Sequence, residues 1–385
     1  MKKPSKRQLL IDGTPLNYDA KGVGRYTYNI CRELDERLPP NWAMSIVTFK
    51  HRLPSFPTSF RGDLIQIPYK TEIELGLIYF PWQIRQLQPT VFIRPRESIG
   101  INYGLPTVTV CHDLNEIIWQ YQPPRSLSRR LFDASCQALR VHALRNSSLV
   151  ICNSEFVRNA VTERYLIPKK KIQIGYCGVD ERFYQIAPTV PVREVQNRYG
   201  NYGYILTFAT GDYRENFTIL PSLLNQIKNL GYPGSLVVAG MHEETTYAVQ
   251  LMNDFNSRNL LRNQDYFIEP FLGEDRFSDL VALYTAADFY LELSWHEGFG
   301  MQLAEAMACG TTCVSSGRGA LQEVGDQWGI CIDPNDPQQI AEKIMQAWAN
   351  KLHQQCNQEQ IAFTKRYCWT KVGDVLEKFL NTFDN

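Results

Sequence analysis

Two carboxylates, Glu297 and Glu305, enclose a G-x-G in the run EGFGMQLAE, with seven residues between them. Gly298 and Gly300 let backbone approach a ligand closely, and the stretch from about Met301 to Ala308 reads as a helix whose first N–H groups and positive dipole end point at that loop. Such a terminus suits a diphosphate. Glu305 falls about one turn inside the helix and Glu297 just before the loop, so one carboxylate can meet hydroxyls beyond the phosphates while the other faces the opposite side. A nucleotide sugar fits this arrangement, its ribose on Glu305 and its hexose on Glu297. An ordinary strand-to-helix turn followed by a solvated helix glutamate has the same spacing, and spacing by itself does not separate the two.

The elements that would hold these residues are legible as short β-rich apolar runs alternating with longer amphipathic stretches, the pattern of parallel βαβ units. QLLIDG, MSIVTF, LIQIP, TVFIRP, TVTVCHD, LVICNS and KIQIGY read as strands of a first sheet, with helices such as RYTYNICRELDERL and SLSRRLFDASCQALRVHALRNS between them. YILTFAT, SLVVAG, DYFIEP, DFYLEL, TTCVSS and ICID read as strands of a second. The strand-poor segment near residues 181 to 198 reads as the linker. A length of 385 residues fits two such domains. Ligands of these sheets gather at the carboxyl ends of strands, and where two domains face each other the cleft between them is the expected site.

Composition narrows the class. With 44% hydrophobic and 21% charged residues, disorder and fibrous repeats are excluded. Lys plus Arg equals Asp plus Glu at 40 each, so the basic footprint of a nucleic-acid-binding protein is missing and no nucleic-acid partner is expected. The start MKKPSKRQLLIDGTP falls short of a signal-peptide core or a membrane span, which predicts a cytoplasmic protein. The ten cysteines are scattered without C-x-x-C spacing and read as reduced thiols used as small hydrophobes.

EGFGMQLAEAMACG closely resembles the hallmark of the retaining glycosyltransferases of family 4, and other segments extend the likeness from about residue 9 to residue 380. IDGTPLNYDAKGVGRYTYNICREL is similar to that family's N-terminal strand, glycine loop and first helix; VTVCHDL, LVICNSEFVRNAV, IGYCGVDERF and FLGEDRFSDLVALYTAAD follow in the family's order. The resemblance implies an α/β protein with the GT-B fold, two Rossmann-like domains with a cleft between them. The expected divisions are residues 1–184 on the acceptor side, 185–360 on the donor side, and a C-terminal helix in 361–385 packing back on the first domain.

By the same resemblance, Gly22 and Gly24 belong to a flexible turn beside the donor diphosphate and the acceptor. His112, at the end of the TVTV strand, becomes a polar anchor near the reacting carbons, with a satisfied structural histidine as its alternative. Gly298, Phe299, Gly300, Met301 and Glu305 bind the donor, Glu297 positions the sugar, Ser154 caps a helix, and Glu323 supports the site or the fold. The chain departs from its relatives after YILTFAT, where GDYRENF keeps Arg214 but carries Glu215 at the place of the usual Lys. Cys177 likewise stands where an Asn is common.

The implied reaction transfers a hexose from a nucleotide-diphosphate sugar, of the GDP-mannose or UDP-hexose type, to a hydroxyl of a glycan, lipid-linked or small-molecule acceptor, with retention. No metal and no other cofactor is expected, because no D-x-D follows a strand at the appropriate place. Arg214, the loop amides and the helix dipole would meet the charge of the leaving diphosphate. Polysaccharide biosynthesis is the implied setting. A sugar-nucleotide epimerase lacks the EGFG framework, and GVGRYT lacks the third Gly of a dinucleotide fingerprint; a catalytically silent nucleotide-sugar-binding homologue remains the alternative. LGLIYFPWQIRQL and SLSRRLF read as a core helix and a solvated face, with peripheral contact to the inner face of a membrane as the competing reading.

Overall fold

The computed structural model describes residues 6–17, 22–50, 56–185, 189–199, 202–270, 272, 276–355 and 357–383. Residues 18–21 of the N-terminal glycine motif, 186–188 of the linker segment, and 271 and 273–275 of FLGEDRFSDL lie outside them. The chain divides into two compact units, one of residues 1–116, 123–178 and 368–385, the other of residues 117–122 and 179–367.

Unit 1 is built on β1 (Arg7–Asp12), β2 (Trp42–Phe49), β3 (Asp63–Ile67), β4 (Val91–Arg94), β5 (Thr107–Cys111), β6 (Leu149–Cys152) and β7 (Ile172–Ile174). They pair in parallel in the order β3-β2-β1-β4-β5-β6-β7. β4, β5 and β6 are buried along their whole length, and β6, LVIC, appears in the sequence as the continuous apolar run expected of a strand covered on both faces. Unit 2 holds β8 (Tyr204–Phe208), β9 (Ser235–Ala239), β10 (Tyr266–Glu269), β11 (Phe289–Glu292), β12 (Cys313–Ser315) and β13 (Ile330–Cys331). Its order, β10-β9-β8-β11-β12-β13, repeats the Rossmann arrangement, in which strand order reverses between the first and fourth strands. The reversal falls between β1 and β4 in unit 1 and between β8 and β11 in unit 2, leaving a crevice at the carboxyl ends of each pair where no crossover helix can sit.

The helices follow their caps. Ser126 accepts from the Arg129 N–H at the start of Leu127–Asn146, and Ser154 accepts from the Val157 N–H at the start of Glu155–Tyr165, the capping role expected of it. Two expectations are corrected. The segment read as a linker contains a helix, Thr189–Tyr199, which packs on the helix Phe277–Thr285. Gly22 and Gly24 are in the first turn of the helix Gly22–Arg37 rather than in a flexible turn; Tyr26 is buried and its O–H donates to the Gly175 carbonyl at 2.7 Å, which fixes that turn. The nine described cysteines are free; six are buried and Cys331 is exposed.

The last helix, Trp369–Asn381, packs on Gly22–Arg37. Trp369 is buried edge-on to Tyr26, with ring centroids 5.4 Å apart, and Arg37 bridges Glu33 of its own helix to Asp374 and Glu377 of the other. The apolar seat outweighs the pairs to Asp374 and Glu377, whose carboxylates are exposed and which contribute up to about 1 kcal/mol each. Trp369→Ala should therefore destabilise unit 1 by about 3–5 kcal/mol, measured by denaturant unfolding, whereas Asp374→Ala should cost less than about 1 kcal/mol. Equal effects of the two would show that charge rather than burial holds this helix.

Candidate functional site

β8 ends at Phe208 and β11 at Glu292, so the loops that follow them open at the strand-order reversal of unit 2. After β8, Asp212 caps a short turn by accepting from the Arg214 N–H at 3.0 Å, and its side chain also accepts from Gln122 Nε2 at 2.8 Å. The Arg214 guanidinium lies 3.3 Å from an Asp212 carboxylate oxygen through Nε and 3.3 Å from Glu297 Oε2 through Nη1. Arg214 and Glu297, 83 positions apart in sequence, are thus brought together by sheet topology. The Trp295 N–H donates to the Arg214 carbonyl at 2.8 Å, tying the two loops through backbone as well.

The second loop closes in a left-handed turn. Gly300 has φ of +93°, and a β-carbon there would lie 2.5 Å from a Leu321 methyl. Gly319 has φ of +63°, and a β-carbon there would lie 2.5 Å from the Glu297 carbonyl, which accepts from the Ala320 N–H at 2.9 Å. Both positions need glycine. The helix Met301–Ala308 begins directly after Gly300, where the sequence places it. Phe299 and Met301 are buried, Phe299 edge-on to Tyr367, so any part they take in holding a ligand falls to their backbone. Glu305 is buried as well, and its Oε2 accepts from the Tyr284 O–H at 3.0 Å.

Glu215 folds back on its own loop. Its carboxylate turns back to accept from the Thr210 N–H at 2.6 Å and the Thr210 hydroxyl at 2.7 Å, latching the loop that leaves β8. Burial pushes Glu215 up to about 7; the Thr210 bonds and Arg214 pull against this, and Glu297 adds to it. Burial, and then Glu297, also raise Glu292, whose carboxylate accepts from the hydroxyls of Tyr290 and Ser294. Sequence reading missed Asp212 and Glu292. The signal for Asp212 was its place two residues before Arg214, an Asx-turn spacing; for Glu292 it was a carboxylate inside the apolar run FYLEL.

In unit 1, His112 follows β5. Its Nε2 donates to the Pro95 carbonyl at 2.7 Å, its backbone N–H donates to Glu97 at 3.0 Å, and its ring stands edge-on to Tyr26. Burial is the largest influence on the ring and lowers its pKa, so the imidazole is neutral with Nδ1 as its acceptor nitrogen. Glu323 lies in the helix Leu321–Gly325 and its carbonyl accepts from the Tyr367 O–H. Cys177 is buried. Among the described residues no group of three or more His, Cys, Asp or Glu is arranged to hold a metal ion, and no helix is long and apolar enough to cross a membrane.

Comparison with known proteins gives the family and the fold. The family model "Glycosyltransferase Family 4" matches residues 20–183 and "Glycosyl transferases group 1" matches residues 191–362. The chain belongs to the group 1 glycosyltransferases. It is similar to the O-antigen chain mannosyltransferase B of Escherichia coli, 23% identical over 367 residues that cover 88% of this chain and 90% of that one. Its fold matches sucrose-phosphate synthase from Thermosynechococcus elongatus with a TM-score of 0.76 at 16% identity, covering 98% and 99% of the two chains. Anabaena HepE in complex with UDP-glucose matches with a TM-score of 0.73 at 15% identity and coverage of 98% and 99%. This glycosyltransferase has the GT-B fold of two Rossmann-like domains.

The Glu215 latch has a measurable signature. A carboxyl whose folded pKa lies above its unfolded value contributes stability that is complete below about pH 4.5 and lost as pH rises through about 7. Glu215→Gln should remove that part of the pH dependence, so that the loss of unfolding free energy between about pH 5 and 8 is smaller than in wild type by roughly 1–3 kcal/mol. Superimposable stability profiles would show that Glu215 titrates as an exposed carboxyl. Gly319→Ala should cost about 1–3 kcal/mol at any pH through left-handed backbone strain, read by thermal unfolding.

Proposed function

We propose that this glycosyltransferase moves a hexose, with retention at the anomeric carbon and without a metal ion, from a nucleotide-diphosphate sugar to a hydroxyl of a glycan or lipid-linked acceptor in polysaccharide biosynthesis. The observation that carries the reading is the guanidinium of Arg214 at 3.3 Å from Glu297, beside the Gly298–Gly300 loop and the helix that opens from it. In this reading Arg214, backbone amides of the loop and the helix dipole meet the growing charge of the leaving diphosphate. The acceptor hydroxyl attacks from the leaving-group face and gives its proton to the departing phosphate oxygen, so no protein nucleophile is needed. Glu297 holds hexose hydroxyls and Glu305 the ribose, while His112 Nδ1 and the Gly22–Gly24 turn serve the sugar and the acceptor.

GDP-mannose is the donor favoured by the likeness to a mannosyltransferase, and UDP-hexoses by the fold match to a UDP-glucose complex. We place the enzyme in the cytoplasm, in peripheral contact with a membrane. That contact is supported by Leu127, Leu131 and Phe132, which are exposed on one helix with Arg129 and Arg130 beside them, and by exposed Ile78 and Trp82. A silent nucleotide-sugar-binding homologue is the second reading, favoured by Glu215 and by the two carboxylates already at Arg214.

Incubation with GDP-mannose, UDP-glucose and UDP-N-acetylglucosamine decides between them: release of nucleoside diphosphate supports the enzyme, and binding without release supports the silent homologue. Glu297→Gln should fold normally and lower turnover by about 10² or more; near-normal kcat would remove its role. Arg214→Ala should cost about 2–4 kcal/mol in kcat/KM, and activity should persist in excess EDTA. Turnover that EDTA abolishes and Mg²⁺ restores would overturn the metal-free mechanism.

A further inference from the structure

Beside the Arg214–Glu297 pair, unit 2 carries an open cavity of about 390 Å³ that neither Arg214 nor Glu297 lines. Its wall includes Asn216, Thr218, Ser222, Trp295, Pro334 and Asn335, and none of its lining side chains is charged. Trp295 is fixed there. Its ring stacks on Tyr121 with centroids 5.5 Å apart and planes within 23°, its Nε1 donates to the Asn335 side chain at 3.1 Å, and its backbone is tied to Arg214. Asn216 is held in the left-handed region and donates to the Pro334 carbonyl at 2.6 Å, which fixes the opposite part of the wall.

A wall of indole, proline rings, carboxamides and hydroxyls without a cation is poorly suited to phosphate. It suits an uncharged ligand that offers C–H faces to aromatic and proline surface and hydroxyls to amides, which is the chemistry of a saccharide. The volume lies within the ~300–1,000 Å³ span of small-molecule sites. Because Trp295 is two residues from Glu297, a ligand held here lies along the chain that carries the candidate sugar-positioning carboxylate. We propose that this cavity is a subsite for neutral sugar rings of the acceptor glycan, away from the hydroxyl being glycosylated. The inference rests on the glycosyl-transfer reading for its purpose, but saccharide binding can be measured without any donor.

The test uses the full chain and mannose, α-linked mannotetraose, maltotetraose and cellotetraose as probes, with binding followed by saturation-transfer NMR and tryptophan fluorescence. At least one tetrasaccharide should bind tenfold or more tightly than mannose. Trp295→Ala should weaken that binding at least fivefold. Thr218→Arg, at an exposed position outside the Trp295–Tyr121 stack, should do the same by placing a charged side chain at the cavity while leaving the fold unchanged by circular dichroism. Affinity for UDP and GDP should change less than twofold in Thr218→Arg. In transfer assays the same variant should raise KM for oligosaccharide acceptors at least fivefold and leave the donor KM unchanged. Failure of all three tetrasaccharides to bind, or equal binding by wild type and folded Thr218→Arg, overturns the subsite. With nucleotide binding intact, that result leaves the transferase reading standing. Tetrasaccharide binding sensitive to both variants, in a protein that neither binds nor turns over nucleotide sugars, supports the subsite and removes the transferase reading instead.

Discussion

A guanidinium held between two carboxylates, where the second sheet reverses its strand order, is the contact on which the arrangement of the site depends. Parallel strands wound to both sides of a starting strand leave a crevice at their carboxyl ends, and loops entering it must satisfy their own polar groups. Here Arg214 does so by reaching Asp212 on its own loop and Glu297 on the next. Gly319 and Gly300 let the second loop close tightly enough for that reach. The backbone bond from Trp295 to Arg214 makes the pairing a property of both loops rather than of two side chains.

The electrostatics of this cluster are unusual for a place proposed to take a diphosphate. Asp212, Glu215, Glu292 and Glu297 all act on or near one arginine. An incoming anion would compete with these carboxylates for the same cation and would be repelled by those that remain charged. Burial offsets part of this cost by raising Glu215 and Glu292, so that the cluster holds protons at a pH where exposed carboxyls do not. Glu215 also has a mechanical part, since its two bonds to Thr210 hold the loop on which Arg214 stands.

The surfaces add a second theme. Leu127 and Leu131 are 71% and 62% exposed near the start of a long helix that also carries Arg129 and Arg130, while the buried side of the same helix includes Asp133 and Cys136. Asp133 pairs with Arg125 and Arg129, which orients two of the cations beside the apolar side chains. SLSRRLF, read from the sequence as a solvated face, is exposed throughout but carries apolar side chains there, and LGLIYFPWQIRQL, read as a core helix, leaves Ile78 and Trp82 exposed, because periodicity reports that a helix has two faces but not what covers them.

The thirteen strands among the described residues and the helix after the EGFG loop were legible in the sequence because each is decided locally. Strands buried on both faces are short runs rich in apolar and β-branched residues, and an Ala-rich stretch after a glycine loop favours a helix. The placing of Glu297 and Arg214 at strand ends followed from the same runs. Tertiary structure alone decided the rest. Which carboxylates meet Arg214 depends on strands that pair across more than eighty positions. The turning of Glu215 to Thr210, the burial of Phe299 and the helical state of Gly22 and Gly24 each depend on a neighbour that local propensity does not specify. The neutral cavity at Trp295 is likewise assembled from residues near 216, 295 and 335, and no single segment carries its signature. Local sequence determines what an element is, through its period and its breakers. The partner of each polar side chain is set by packing in three dimensions, where burial makes an unpaired group costly and so selects one arrangement.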